Sequence, residues 1–155
     1  MKKLISVLMA ALMLLLALPA LAEGDTPDEL DAAIQYANEA GFADIDDETM
    51  HSDLRSVWLM DVSASRESMS EKGVEILNEY YGDYERVYML EYAAFMGKQP
   101  MPLQMITAVG VKADGAMEEC MTLNYVRSRK FDDTWCDGMA IELVRDYTLA
   151  EIMKD

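Results

Sequence analysis

Apolar positions recur at Leu30, Ala33, Ile34 and Ala37, a spacing that places them on one face of a helix. Thr26-Pro27-Asp28-Glu29 precedes them as a helix start, with Thr26 as N-cap, Pro27 in the first position and Glu29 reaching back. Gly41 follows the last periodic residue, where a left-handed residue closes a helix. The next stretch, ADIDDETMHSD, is acidic and aperiodic and predicts a loop. Asp44, Asp46 and Glu48 alternate as in a calcium loop. Thr49 stands where the turn glycine belongs, however, and Arg55 where a bidentate glutamate does, which excludes an EF-hand.

Val57 to Val62 is a compact apolar run and predicts a buried strand. Ser68 with Glu71 forms a second capping box, and Met69, Gly73, Ile76, Leu77 and Tyr80 then share a helical face up to Gly82. Val87 to Phe95 fits either period, but its aromatic and β-branched residues favour a strand. Leu103 to Lys112 and Met117 to Arg127 flank Asp114-Gly115, the pair preferred in a two-residue type I′ hairpin. With that turn, Val109 faces Cys120, Ala108 faces Met121, Ile106 faces Leu123, and Thr107 opposes Thr122. Met139 to Val144 predicts another strand, and Thr148 with Glu151 caps a short final helix. The order is helix, strand, helix, then successive strands. It defines an α+β fold, a mostly antiparallel sheet with two or three helices packed on one face.

The N-terminus changes the picture of where this fold works. Lys2 and Lys3, the apolar run Leu4 to Leu18, and Ala20-Leu21-Ala22 after Pro19 are the three parts of an export signal. Residues 1–22 are therefore read as a secretory signal peptide and 23–155 as a single small α+β domain. The expected location is secreted or cell-envelope, with no stable membrane insertion after cleavage. The formal charge is −16, from 13 basic and 29 acidic residues, and the two signal lysines leave on cleavage. Such a surface repels phosphate backbones, so nucleic acid is excluded as a partner.

Two cysteines, Cys120 and Cys136, make an even count in an oxidising compartment and predict one disulfide. The only histidine, His51, lies in the acidic stretch and is expected to be solvated rather than catalytic. Arg127, Arg129 and Lys130 form the one basic cluster, beside Phe131 and Trp135, and this segment is a candidate contact loop. Met96, Met101 and Met105 around GKQPMPLQM offer an adaptable apolar surface.

Asp61, Ser63 and Ser65, in WLMDVSAS, carry the clearest hint of chemistry: one carboxylate and two hydroxyls at the end of an apolar strand, followed by a helix. The stretch from Trp58 to Tyr92 resembles the metal-ion-dependent adhesion site of von Willebrand A domains. That resemblance implies a parallel sheet and a Mg²⁺ or Ca²⁺ bound by Asp61, Ser63 and Ser65. The residues themselves read as a strand end and a helix approach, with no metal and no cofactor. The function expected from the whole chain is an exported, acidic, non-catalytic binding domain for an unknown protein or small molecule. The alternatives are the divalent-metal adhesion module and a hydrolase using carboxylates alone.

Overall fold

A computed structural model describes residues 28–153 apart from 43, 46, 47, 124, 127–129, 132 and 133, with backbone only for the rest of 124–134. The signal sequence and the Thr26-Pro27 helix start lie outside the described residues.

Helix α1, Glu29–Glu39, ends as the spacing predicts. Gly41 takes φ 69°, its N–H donates to Asn38, and the Phe42 N–H donates to Ala37, the paired bonds of a Schellman motif. Phe42 then packs edge-on against Tyr36. The start differs. The N-cap is Asp28, which makes no side-chain cap bond, and Glu29 reaches across to the sheet instead of back along its helix.

Strand β1 runs Met50–Asp61, well ahead of the expected start at Val57. Its first half is polar, and pairing with β2 (Arg86–Met96) makes it a strand, with Met50 opposite Met96 and His51 opposite Phe95. Val62 begins helix α2 (Val62–Ser68) rather than ending the strand, and α3 (Glu71–Tyr81) follows. The cap of α3 is Ser70, whose side chain accepts from the Gly73 N–H. Ser68 is the last residue of α2 and donates to the Ala64 carbonyl. Tyr81, not Tyr80, therefore falls on the buried face of α3.

Strand β3 spans Gln99–Val111, and β4 is only Met117–Glu119. The hairpin between them lies where Asp114-Gly115 places it, but its loop has three residues. Lys112 pairs with Ala116, Gly115 donates to the Lys112 carbonyl at φ 82°, and Asp114 accepts from the Ala116 N–H. A turn followed by a left-handed glycine closes such loops. The extra residue moves Val109 opposite Glu119 instead of Cys120. A one-residue slip exchanges the two faces, so Cys120 joins Ala108 on one side while Val109 turns to the other. The same shift takes Thr107 out of register with Thr122, and Met121 is exposed. The expected long partner strand breaks after Glu119. Strands β5 (Tyr125–Val126) and β6 (Lys130–Phe131) pair with each other in a separate small sheet.

The last strand, β7 (Ala140–Asp146), pairs with β1, and α4 (Leu149–Ile152) closes the described chain. Its predicted capping box, Thr148 with Glu151, is fully formed. The main sheet has order β4-β3-β2-β1-β7 with every neighbour antiparallel, an α+β fold. Helices cover both faces rather than one. Ala33 and Ala37 of α1 pack on Val57, Leu90, Tyr92 and Val109. Val62 of α2 with Leu77 and Tyr81 of α3 packs on Met60, Val87, Met89 and Ala108.

Among the described residues two ion pairs tie α1 to the sheet, Arg145 to Asp31 at 2.9 Å and Arg86 to Glu29. Both Glu29 oxygens accept from Arg86, at 2.6 Å each, and one also accepts from the Tyr88 hydroxyl. Burial alone raises the Glu29 carboxyl. The bonds from Arg86 and Tyr88 outweigh it and hold the group below its ordinary value of 4.5. A carboxylate depressed in the folded state contributes stability above its unfolded value, lost as pH falls through the folded one. The protein is therefore expected to weaken steadily below about pH 4. Glu29→Gln should cost about 1–2 kcal/mol at neutral pH and show a flatter acid limb in urea midpoints. Parallel acid limbs for the two proteins would remove the pair from the account.

Candidate binding cleft

Asp61 sits where β1 hands over to α2 and acts as that helix's N-cap, its Oδ1 accepting from the Ala64 N–H at 2.8 Å. Ser65 is fully buried. Its hydroxyl donates to the Asp61 carbonyl at 2.6 Å and accepts from the Ala140 N–H at 3.0 Å, joining α2 to β7. Ser63 is exposed. The antiparallel sheet departs from the parallel one that the adhesion-site resemblance implies. Ser65 thus has a structural duty at a three-way junction. Ser65→Ala leaves the Ala140 N–H without that acceptor, and a loss of about 1–3 kcal/mol is expected in chemical denaturation. An unchanged denaturation midpoint would show that water replaces the hydroxyl.

Of the other predicted residues, Cys120, Trp135 and Cys136 meet on one cluster. Cys120 and Cys136 are both half-buried against the α2–α3 cluster. Burial first, then the charges of Glu118 and Glu119, push the Cys120 thiol up to about 12, which keeps it protonated and unreactive. Trp135 packs on the same cluster, so this ring of the expected contact loop serves the core. Arg127 and Arg129 lie outside the described residues, and Lys130 and Phe131 are described only as backbone of β6. His51 is on β1, not in a loop. Its ring stacks on Phe95 with centroids 5.3 Å apart, and its Nε2 is 3.4 Å from the Asp53 carboxylate.

The structure gathers a different set of residues at the opposite end of the sheet, around the β2–β3 turn and α4. Two hollows flank that helix. One, of about 390 Å³, is lined by His51, Asp53, Phe95, Gly97 and Lys98 with Ile152 and Met153. The other, of about 230 Å³, is lined by Arg55, Glu91, Gln104 and the run Pro100 to Leu103, with Leu149 of α4.

The smaller hollow exists because both neighbours of β2 bulge beside it. On β1, Leu54 opposes Tyr92 and Ser56 opposes Glu91, so Arg55 is an extra residue. On β3, Gln104 opposes Ala93 and Pro100 opposes Phe95, so Met101 to Leu103 bow out across from Ala94. Bulges re-aim side chains and gather beside functional sites. Here they surround Glu91, a carboxylate only 7% exposed in the middle of an apolar strand. Its Oε2 accepts from the Ser56 hydroxyl at 2.5 Å, and its Oε1 accepts from the Gln104 amide. Among the described residues the cation beside it is the half-exposed Arg55, with Nη1 3.6 Å from Oε1.

None of the polar residues of the two hollows belongs to a spaced motif; the sequence argument reaches this end of the sheet through Met96 and Met101 of the adaptable apolar stretch and, for other reasons, through His51 and Arg55. One signal was legible: Glu91 interrupts the run Val87 to Phe95, and a charge inside a buried strand is retained for a reason. The bulges that make room beside it depend on pairing between distant segments. Comparison with family models, curated proteins and solved structures finds no match to this chain.

Proposed function

We propose that this protein is an exported, acidic, non-catalytic binding module that holds its partner in the cleft on either side of α4. One observation carries the reading. Of the eight large apolar side chains exposed among the described residues, Met96, Leu103, Tyr147, Leu149 and Met153 cluster at this end of the sheet. Exposed apolar groups gathered around hollows with a few convergent polar groups mark binding surfaces. The export-type N-terminus supports a surface that works outside the cytoplasm, and the charge of −16 disfavours polyanions as partners. Among the described residues, no helix is long and apolar enough to cross a membrane.

The test is an NMR titration of the protein with a library of small amines, carboxylates, amino acids and neutral amides. Binding at the cleft predicts shifts confined to amides of residues 50–56, 91–104 and 147–153. Shifts confined to the α2–α3 side, or none with any compound, would overturn the reading.

A further inference from the structure

We propose that the Glu91 hollow recognises a cationic head on an aliphatic stem: an alkylammonium or guanidinium group, carried by a free amine or by a lysine or arginine side chain. The inference rests on the cleft being the binding surface and names what enters it.

Glu91 is the reason. A buried carboxylate is costly unless it meets a well-placed cation, and Ser56 and Gln104 offer only neutral donors. Arg55 stands 3.6 Å away with its side chain 40% exposed. Charge-assisted N–H···O bonds close to about 2.7–2.9 Å. Arg55 is therefore a loosely held internal cation at the mouth, one that a better-placed cation can displace. Its position as the extra residue of the β1 bulge puts it at the rim rather than in the sheet ladder.

The walls supply the rest. Pro100, Met101, Pro102, Leu103 and Leu149 are apolar, and methionine adapts to an irregular stem. A volume of about 230 Å³ lies below the roughly 300–1,000 Å³ of drug-sized pockets. It suits a side chain or a short amine rather than a large ligand. The field of a chain with charge −16 draws cations toward the surface and repels anions. An anion bound to Arg55 would also set a second negative charge beside Glu91, an unfavourable pairing.

The experiment titrates the protein with n-butylammonium, with butyrate as the anion of like shape, and with a short uncharged-backbone peptide bearing one lysine. Amides around Glu91 and Gln104 should shift with butylammonium at millimolar concentration and not with butyrate. Tenfold tighter binding of the lysine peptide would assign the site to a protein partner, and equal binding to a free amine. Glu91→Gln should abolish the response. Arg55→Ala, an exposed rim substitution, should tighten amine binding several-fold by removing the internal competitor. It carries the test if Glu91→Gln does not fold. Butyrate shifting the same amides, or Arg55→Ala weakening amine binding, would overturn the proposal. A cleft that answers other fragments but no amine removes this inference and leaves the binding-module reading standing. A cleft that answers nothing removes both.

Discussion

Replacing Phe95 with alanine is expected to destabilise the fold by about 3–5 kcal/mol and to lower the melting temperature by about 10 °C or more. The ring is 1% exposed and belongs to neither of the two main clusters. It lines the larger hollow together with Ile152 and Met153, and lies between His51 on β1 and Pro100 on β3. Its face is covered by the stacked imidazole of His51. Truncating a ring this buried incurs both the transfer cost and the cavity cost. Phe95→Leu keeps most of the volume and loses chiefly the ring stacking, worth about 0.5–1.5 kcal/mol. Met96→Ala, one residue along at an exposed position, should stay within about 0.5 kcal/mol of the parent. Thermal and urea unfolding of the three variants checks the ordering. A Phe95→Ala loss below about 1 kcal/mol would mean that the floor of the cleft is held by something other than this ring.

What was legible in the sequence was local. The Schellman end of α1 rests on Ala37, Gly41 and Phe42 within six residues of one another, and the cap of α4 on Thr148 and Glu151. Both follow from short-range patterns. The β3–β4 hairpin was legible in place but not in register. Asp-Gly suits a two-residue turn and also a three-residue loop ending in a left-handed glycine, and only the pairing beyond the loop decides. That single residue moved Cys120 from beside Val109 to the face of α2 and α3. It also separated Thr107 from Thr122. Two serines two positions apart, Ser68 and Ser70, offered the same capping chemistry. The end of α2 consumed the first. The polar start of β1 was hidden because nothing in MHSD is strand-like until Met96 to Ala93 lie alongside it. The cleft was hidden for the same reason. It is formed by two bulges on strands far apart in the chain, and no spacing within either segment encodes the gap between them.

Alkali is expected to unfold this protein cooperatively between pH 10 and 12, and the cause is its tyrosines. Burial comes first for each of four rings, Tyr81, Tyr84, Tyr88 and Tyr92, and pushes the phenol well above its ordinary value of 10. Tyr92, 3% exposed against α1, is pushed up to about 12. Tyr81 donates to the Met121 carbonyl from a fully buried ring, and Tyr84 and Tyr88 donate to Glu118 and Glu29. Carboxylates beside a phenol resist a second negative charge there. The sign follows. A phenol that must stay protonated in the folded state contributes its full stability below the unfolded value of 10, and loses it as pH rises toward the folded one. A shift of two units at Tyr92 alone amounts to about 3 kcal/mol by pH 12. Domains have only about 5–15 kcal/mol in hand, so a few such rings acting together exhaust it. Absorbance of the ionised phenol and circular dichroism, followed along one alkaline titration, should change together and steeply. Tyr92→Phe cannot ionise and loses only a 3.1 Å bond to Asn38, so its transition should move to higher pH. Phenols that ionise one by one near pH 10 while the dichroism holds would show that these rings are open to water in solution.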